Sequence, residues 1–211
     1  MKLDLKRDMK KDIFINMQQE VFTGNVLDIG MDNYGIIYSL YKKYNEEAAL
    51  EYIEGKEESS LIEKEKYDSC ILLFSLNNIW LKFNKKALFK KISEYLKENG
   101  VLHIWDINKG YSKLFNGKIK ILISDKIIKE IEITDLNVLK DNSKEAVVKL
   151  AQNYFKIIDL KCSDNIYYIK CQKQTKESEK GSTEHEDNTY RNKLKVHSQQ
   201  LRDKVFKGLH K

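Results

Sequence analysis

The sequence has few cysteines and no long apolar segment. Its three cysteines, Cys70, Cys162 and Cys171, are an odd set without the spacing of metal ligands, so we expect reduced thiols, no disulfide framework and no metal site. The longest apolar run, CILLFSLNNIWL, is too short and too polar to span a bilayer. The charged opening MKLDLKRDMKKD has no apolar region of the signal-peptide kind. These absences predict a soluble, cytoplasmic protein without a membrane span.

Most of the chain also lacks an excess of either charge. The formal net charge is +6, and residues 190–211 contain seven basic residues and one acidic residue, Asp203. The rest of the chain therefore carries equal numbers of basic and acidic residues. A nucleic-acid-binding protein is expected to present a basic stripe with interleaved aromatic residues, and the body of the chain offers none. Nucleic acid is consequently an unlikely partner.

Short apolar runs alternate with helical patterns over the first half of the sequence. Strand-like runs are VLDIG, ALEYIEG, SCILLFSL and VLHIWDI, and helical spacing is found in IIYSLYKKY and KKALFKKISEYLKENG. A continuous apolar run such as SCILLFSL is typical of a parallel strand that is buried on both faces. This order predicts an α/β fold with an open, mostly parallel sheet, whose ligands bind at the carboxyl ends of the strands.

The second half predicts a helix and further strands. SKEAVVKLAQNYF is a helix capped by Ser143, and KIIDLKC and IYYIKCQ flank SDN as an antiparallel hairpin. The β-rich segments KIKILIS and KEIEITDL can pair with each other. At the other end of the chain, apolar residues recur every four positions and predict an amphipathic helix that ends at Thr23 and Gly24. They are Leu5, Met9, Ile13, Met17 and Val21.

Composition divides the chain into three parts. Residues 1–173 form the α/β domain with its N-terminal helix, and residues 174–189 form a linker too polar to fold alone. Residues 190–211 resume a helical pattern with a basic surface and an apolar face of Leu194, Leu201, Val205 and Leu209. An isolated helix of this length is marginal in water. We expect it to dock on the body, on another protein, on a second copy of the chain or on an anionic surface, although a frayed terminus is the alternative.

The stretch VLDIGMDNYG resembles the first motif of class I S-adenosylmethionine-dependent methyltransferases, written hydrophobic-Leu-Asp-x-Gly-x-Gly-x-Gly. Leu27, Asp28 and Gly30 match this motif. Asp32 and Tyr34 stand where the second and third glycines belong, and Gly35 comes one position late. Glycines in such a turn let the backbone approach a ligand. The resemblance implies a Rossmann-like sheet and S-adenosylmethionine as the cofactor of a degenerate motif.

Three later stretches extend the resemblance over about residues 12–173. Tyr67 and Asp68 match the aromatic-Asp pair that opens the fourth strand of the family, and SLNNI stands where small-molecule members carry Ser-Leu-His-His-hydrophobic. LFKKISEYLKENGVLHIWDI is similar to the helix and strand that follow. YFKIIDLKCSDNIYYIKCQK is similar to the terminal antiparallel hairpin. The order and spacing of these stretches carry more weight than any one of them.

The middle of the chain is shorter than the family pattern by one strand-helix unit, and two alignments remain open. If YIEG is the third strand, the second strand with its acidic ribose-binding end is missing, and Lys56 replaces the aspartate that accepts from the adenine amine. If YIE is the second strand, Glu54 is the ribose acid and the third unit is missing. We favour the first alignment because Gly55 and the Tyr67-Asp68 spacing fit it better.

The resemblance places cofactor-binding residues at the ends of the first and fourth strands and in the loop between them. We expect Asp28 to hold the amino group of the cofactor, with capping of the next turn as its alternative role. Gly30 allows either ligand approach or close packing. The full set of cofactor candidates is Asp28, Gly30, Asp32, Gly35, Glu54, Glu57 and Ser75.

Candidates for an acceptor site lie at the next strand ends. Asn77, Asn78 and Asp106 could position a methyl acceptor, with loop capping and turn formation as their alternative roles. His103 lies inside VLHIWDI, where alternation favours a packed histidine over a catalytic base. No catalytic residue is identified.

Two functions follow from these observations. The first is methyl transfer from S-adenosylmethionine to a small acceptor. The second is a non-catalytic, methyltransferase-like binding or scaffold protein whose C-terminal helix is the contact element. The missing glycines, the short middle and Lys56 favour the second function, whereas Asp28, Gly30 and the fourth strand favour the first.

Overall fold

The fold is given by a computed structural model, which describes residues 10–30, 35–44, 62–163 and 165–174, and the backbone of residues 51–53. Within these ranges the strands are β1 (Lys11–Asn16), β2 (Val26–Ile29), β3 (Glu51–Ile53), β4 (Tyr67–Leu73), β5 (Leu96–Ile107), β6 (Phe115–Ser124), β7 (Ile127–Asp135), β8 (Phe155–Ser163) and β9 (Ile166–Lys173). The helices are α1 (Ile36–Lys42), α2 (Lys82–Tyr95) and α3 (Lys144–Ala151). A short 3-10 turn spans Leu76–Asn78.

A six-stranded sheet in the order β3-β2-β4-β5-β9-β8 forms the centre of the molecule. The strands β3, β2, β4 and β5 run parallel, while β9 is antiparallel to both β5 and β8. The chain passes from β2 through α1 to β3 on one side, and then returns to form β4 on the other side of β2. The strand order therefore reverses between β2 and β4, which is the topological switch point of an open α/β sheet.

Two apolar cores cover the two faces of this sheet. One core contains α1 and the inner side chains of a second sheet, in which β6 lies between parallel β1 and antiparallel β7. The other core contains α2, through Phe89 and Ile92, and α3, through Val147 and Leu150. Successive residues of β4 alternate between the cores, since Ile71 faces the first and Leu72 the second. This double burial explains the continuous apolar sequence of β4.

The strands predicted at VLDIG, ALEYIEG, SCILLFSL and VLHIWDI are present, as are the helices predicted at IIYSLYKKY, KKALFKKISEYLKENG and SKEAVVKLAQNYF. The second of these helices is shorter than predicted, because α2 ends at Tyr95 and residues 96–100 belong to β5. Ser143 caps α3, since its side chain accepts a hydrogen bond from the Ala146 amide. The expected pairing of KIKILIS with KEIEITDL is confirmed by β6 and β7.

The predicted N-terminal helix is wrong over the described residues. Residues 11–16 form β1, which pairs in parallel with β6 from Lys11 opposite Gly117 to Asn16 opposite Leu122. A spacing of four residues is also twice the two-residue period of a strand, so apolar residues at such positions share one face in either structure. Residues 1–9, which contain the first part of that prediction, lie outside the described part of the chain.

Candidate functional site

The predicted cofactor residues that the structure describes lie where the strand order reverses. Asp28 is the penultimate residue of β2, Gly30 follows that strand directly, and Ser75 lies two residues beyond the end of β4. Because β2 and β4 are parallel neighbours, these three residues share the carboxyl edge of the sheet. This edge at the switch point is the usual ligand position in open α/β folds.

Gly30 and Ser75 are tightly packed against each other. The Ser75 hydroxyl donates a hydrogen bond of 2.7 Å to the carbonyl oxygen of Ile29. A Cβ atom on residue 30 would collide with the Ser75 Oγ atom. The glycine is therefore required by packing between the chain after β2 and the chain after β4, independently of any ligand.

Asp28 is a buried carboxyl group at the same edge. It lies opposite Tyr52 of β3 and Ile71 of β4, and only 1% of its surface is exposed. Burial disfavours the charged form and raises the pKa of Asp28 to about 7. At neutral pH the carboxyl group therefore exists in both its protonated and its ionised form, so a cation bound beside it would shift it to the carboxylate.

Of the remaining cofactor candidates, the structure describes Gly35. Gly35 stands at the start of α1 with φ 65° and ψ 22°, a left-handed conformation that suits glycine. Its carbonyl oxygen accepts a hydrogen bond from the Ser39 hydroxyl at 2.8 Å. Asp32, Glu54 and Glu57 lie outside the described residues.

Asp106 and Asn77, predicted at the acceptor site, are joined by a buried hydrogen bond. The Asn77 amide donates to Asp106 Oδ2 at 3.0 Å. The other carboxylate oxygen, Oδ1, accepts from the Ile107 amide at 2.7 Å and from the Asn142 side-chain amide at 2.9 Å. Burial raises the pKa of Asp106 to about 6, and these hydrogen bonds oppose that rise. Asp106 therefore connects the end of β5 to the 3-10 turn after β4 and to the chain before α3.

Three buried lysines surround this connection. The Lys85 ammonium donates to Asn142 Oδ1 at 2.7 Å and to the carbonyl oxygen of Asp141 at 3.0 Å, and burial lowers its pKa to about 8. Lys140 lies 2.6 Å from Asp135 Oδ2 and donates to the carbonyl and side-chain oxygens of Asn77. Lys109 lies 3.4 Å from the same Asp135 oxygen. We call Lys85, Lys109, Lys140, Asp106, Asp135, Asn77 and Asn142 the buried polar cluster.

The lysines of the buried polar cluster were not predicted from the sequence, although α2 contains a signal for one of them. Lys85 lies four residues before Phe89, on the buried face of the helix. A lysine at an apolar position of an amphipathic helix indicates an internal partner. Lys109 and Lys140 lie in irregular segments, where no periodicity marks a residue as buried.

Asn78, the third acceptor candidate, is exposed in the 3-10 turn, and its amide donates to the Ser75 carbonyl oxygen at 3.2 Å. Its exposure at the carboxyl edge distinguishes it from Asn77 and Asp106, whose polar atoms are bonded within the chain. The role of all three residues in acceptor binding stays a prediction.

His103 is packed into an aromatic cluster between the two sheets. Its ring stacks on Trp105 with centroids 5.8 Å apart, and its Nδ1 atom lies 2.9 Å from the Tyr168 hydroxyl. Phe22 meets the His103 ring edge-on at 5.3 Å. Burial lowers the pKa of His103 to about 3, so the ring is neutral at physiological pH. This environment agrees with the prediction of a packed histidine.

The described ranges contain neither a metal-binding cluster nor a membrane-spanning helix. No group of three or more His, Cys, Asp or Glu side chains is arranged to hold a metal ion among those residues. No helix there has the length and the apolar character needed to cross a membrane.

No protein-family model and no curated protein matches the chain. Among solved structures, it is similar to the PH0226 protein from Pyrococcus horikoshii OT3, with 15% identity and a TM-score of 0.45 over 79% of this chain and 83% of that one. It is also similar to an S-adenosylmethionine-dependent methyltransferase from Mesorhizobium loti, with 8% identity and a TM-score of 0.48 over 74% and 94% of the two chains. A third is the 1,6-didemethyltoxoflavin-N1-methyltransferase of Burkholderia thailandensis, with 11% identity and a TM-score of 0.48 over 72% of each chain.

Proposed function

We propose that the chain binds S-adenosylmethionine at the carboxyl edge of β2 and β4 and transfers its methyl group to a small acceptor. The observation that carries this proposal is the position of Asp28. It is a buried carboxyl group at the switch point of the sheet, two residues before the glycine that lets the two strand ends pack together. The same residues carry the resemblance of the sequence to class I methyltransferases.

The chemistry of Asp28 suits a cationic ligand. S-adenosylmethionine carries an ammonium group and supplies an electrophilic methyl group on a sulfonium centre. The ionised Asp28 carboxylate would accept a charge-assisted hydrogen bond from the ammonium, and the resulting ion pair would lower the pKa of Asp28 from about 7. Burial strengthens such a bond because water does not compete for the carboxylate.

The shortened middle of the chain is part of the proposal. Within the described residues, β3 is the one strand on the far side of β2, which is consistent with the loss of one strand-helix unit. Since β3 pairs directly with β2, it stands where the order 3-2-1-4-5 of a doubly wound sheet has the second strand. We therefore propose the alignment in which YIE is the second strand and Glu54 is the ribose acid, rather than the alignment that the sequence favoured, in which YIEG is the third strand.

The acceptor-side residues have unequal roles in this proposal. Methyl transfer depends mainly on placing the acceptor in line with the sulfonium carbon, and a base is needed only when the acceptor carries a proton. Exposed Asn78 contacts the acceptor, whereas Asn77 and Asp106 position the 3-10 turn that carries it. The carboxyl edge thus orients two ligands without a dedicated catalytic base.

Calorimetric titration with S-adenosylmethionine and S-adenosylhomocysteine tests the proposal. Affinity should rise with pH up to about 7, by up to about tenfold per pH unit, because binding requires the Asp28 carboxylate. Asp28→Asn should weaken binding and remove this pH dependence. Gly30→Val should abolish binding, while Gly110→Val, at a position with open space around its Cβ, should not change it.

Absence of binding by the wild-type chain over the whole pH range would leave the second function, a non-catalytic binding or scaffold protein. Its contact element would be the C-terminal helix, which lies with the linker outside the described residues. We retain the cytoplasmic location, the division at residues 173 and 189, and homo-oligomer formation through that helix as proposals. Deletion of residues 190–211 followed by measurement of the oligomeric mass tests the last of these.

A further inference from the structure

Half of the large apolar side chains that are exposed in the described part of the chain lie in three short segments, residues 80–83, 111–114 and 136–139. The most exposed are Leu139 at 69%, Leu136 at 65% and Tyr111 at 63%, and Trp80 is exposed at 56%. We call the exposed apolar side chains of these segments the apolar rim. Its members are Trp80, Leu81, Phe83, Tyr111, Leu114, Leu136, Val138 and Leu139. Single exposed apolar residues are ordinary, but a group of this size indicates an interaction surface.

Hydrogen bonds place the three segments at one end of the molecule. The Ser112 amide donates to the Val138 carbonyl oxygen at 2.8 Å, which joins the second segment to the third. Lys140 follows the third segment and bonds the carbonyl oxygen of Asn77, three residues before Trp80. Since the first segment follows β4 and the second follows β5, the apolar rim lies at the carboxyl edge of the large sheet.

The buried polar cluster holds the backbone of the third segment in place. The Lys109 ammonium donates to the Asn137 carbonyl oxygen at 2.6 Å and lies beside Asp135, the last residue of β7. The Asn137 side chain accepts from the Leu139 amide at 3.0 Å. The backbone that carries the exposed leucines is therefore held by hydrogen bonds. Their exposure follows from this fixed backbone conformation.

The charged residues within the three segments of the apolar rim have a single sign. These segments read WLKF, YSKL and LNVL, which contain Lys82 and Lys113 and no acidic residue. Exposed Lys86 and Lys90 follow on α2, whose first turn has neither an acid nor a side-chain cap. Lysines at the amino end of a helix oppose its dipole, so the stability of α2 does not explain them. The surface combines apolar tips with unopposed positive charge and is complementary to an apolar layer beneath anionic groups.

We propose that the apolar rim is a contact surface for an anionic lipid bilayer. Tryptophan, tyrosine and leucine side chains flanked by lysines are the composition of proteins that lie in the membrane interface. Protein-protein interfaces share the aromatic residues but are depleted of lysine, which argues against a second copy of the chain. The chain would bind to the membrane surface without spanning it, with the carboxyl edge of the large sheet facing the lipid. This proposal goes beyond methyl transfer and does not depend on it.

The tryptophan emission of the full chain gives a direct test. The chain has two tryptophans, of which Trp105 is buried at 4% exposure and Trp80 is exposed. On vesicles of phosphatidylglycerol, without S-adenosylmethionine, we expect a blue shift that weakens as salt rises. Vesicles of phosphatidylcholine should give a much smaller shift. Trp80→Phe should remove the shift while the variant still sediments with the vesicles.

Paired variants separate the apolar rim from exposed apolar residues elsewhere. Leu136→Ser combined with Leu139→Ser should lower the vesicle partition coefficient on the order of tenfold. Ile127→Ser combined with Ile128→Ser changes two exposed aliphatic residues at the opposite end of β7 and should leave the coefficient unchanged. Lys82→Glu combined with Lys113→Glu should abolish the preference for phosphatidylglycerol.

Several outcomes would overturn the proposal. They are an unchanged Trp80 emission on phosphatidylglycerol, equal losses in the two serine pairs, and vesicle binding that disappears when residues 190–211 are deleted. A concentration-dependent doubling of mass that requires Leu136 and Leu139 would identify a second copy as the occupant instead. Retention of nucleic acid with the same variant profile would assign the surface to phosphates of another kind. All measurements omit S-adenosylmethionine, so a failure here is independent of the titration above.

Discussion

Asp28 and Asp106 occupy equivalent places in the large sheet but have different surroundings. Each is the penultimate residue of a parallel strand, and each is almost fully buried. Asp106 lies on the face covered by α2 and accepts hydrogen bonds at both oxygens. Asp28 lies on the opposite face, two residues before the glycine that follows the strand. Burial is the largest influence on the pKa of both groups, raising that of Asp28 to about 7 and that of Asp106 to about 6, where hydrogen bonds oppose the rise. Asp106 thus joins three parts of the scaffold, whereas Asp28 stands at the edge where a bound cation can displace its proton.

The same substitution at the two sites should therefore have opposite effects. Asp106→Asn should lower the free energy of unfolding by about 2–4 kcal/mol, because an amide group must then face the donors of Ile107, Asn77 or Asn142. Urea denaturation followed by circular dichroism measures this loss. Asp12→Asn is the control, since Asp12 forms an exposed pair with Lys120 at 4.0 Å and should cost less than about 1 kcal/mol.

Asp28→Asn should change the pH dependence of stability. The folded pKa of about 7 lies above the ordinary value of 3.8, so the wild-type chain loses stability as pH rises through the folded pKa. Between about pH 5 and about pH 8 the unfolding free energy of the variant should gain about 2–3 kcal/mol relative to wild type. Denaturation series at the two pH values measure this difference. If the variant and the wild type differ by the same unfolding free energy at both pH values, Asp28 is already ionised at the lower one. The contrast with Asp106 would then be lost.

Gly30→Ala should have a smaller effect, about 1–3 kcal/mol of destabilisation, because the new Cβ collides with Ser75 Oγ. Adding Ser75→Ala removes the colliding atom and leaves the Ser75 Cβ at 3.4 Å, an ordinary contact, so the double variant should recover most of the stability. Gly110→Ala, with nothing near its Cβ, is the matched control. Thermal unfolding of the four proteins measures the effect. Failure of the double variant to recover would mean that the backbone of residue 30, rather than Ser75, requires glycine.

The sequence predicted the strands and helices that have one clear period or a continuous apolar run. The run in β4 and the stripe of Phe89 and Ile92 on α2 were both sufficient, because burial on two faces or on one stripe selects those patterns directly. The sequence failed at β1, where a spacing of four residues fits a helix and a strand equally well. Pairing with β6, more than 100 residues away, decided that segment.

In the candidate site, too, the residues could be predicted from local motifs, whereas the contacts between distant segments could not. Asp28, Gly30 and Ser75 were found from local motif matches, and the parallel pairing of β2 and β4 then brought them to one edge. Asn77 and Asp106 were found as residues at strand ends, but their mutual hydrogen bond was not predictable. That bond depends on Asn142 and Lys140, which come from a distant segment.

By itself, the sequence determined which segments are strands and helices over most of the domain, because periodicity and apolar runs record how each segment meets the core. It also determined the positions of Asp28 near the end of β2 and of Gly30 directly after that strand, since these follow from the chain order alone. Only the tertiary structure decided the partner of β1, the enclosure of three lysines around Asp106 and Asp135, and the gathering of the apolar rim at one edge. Each of these depends on contacts between residues far apart in the chain, and no local pattern encodes which distant partner a buried charge will meet.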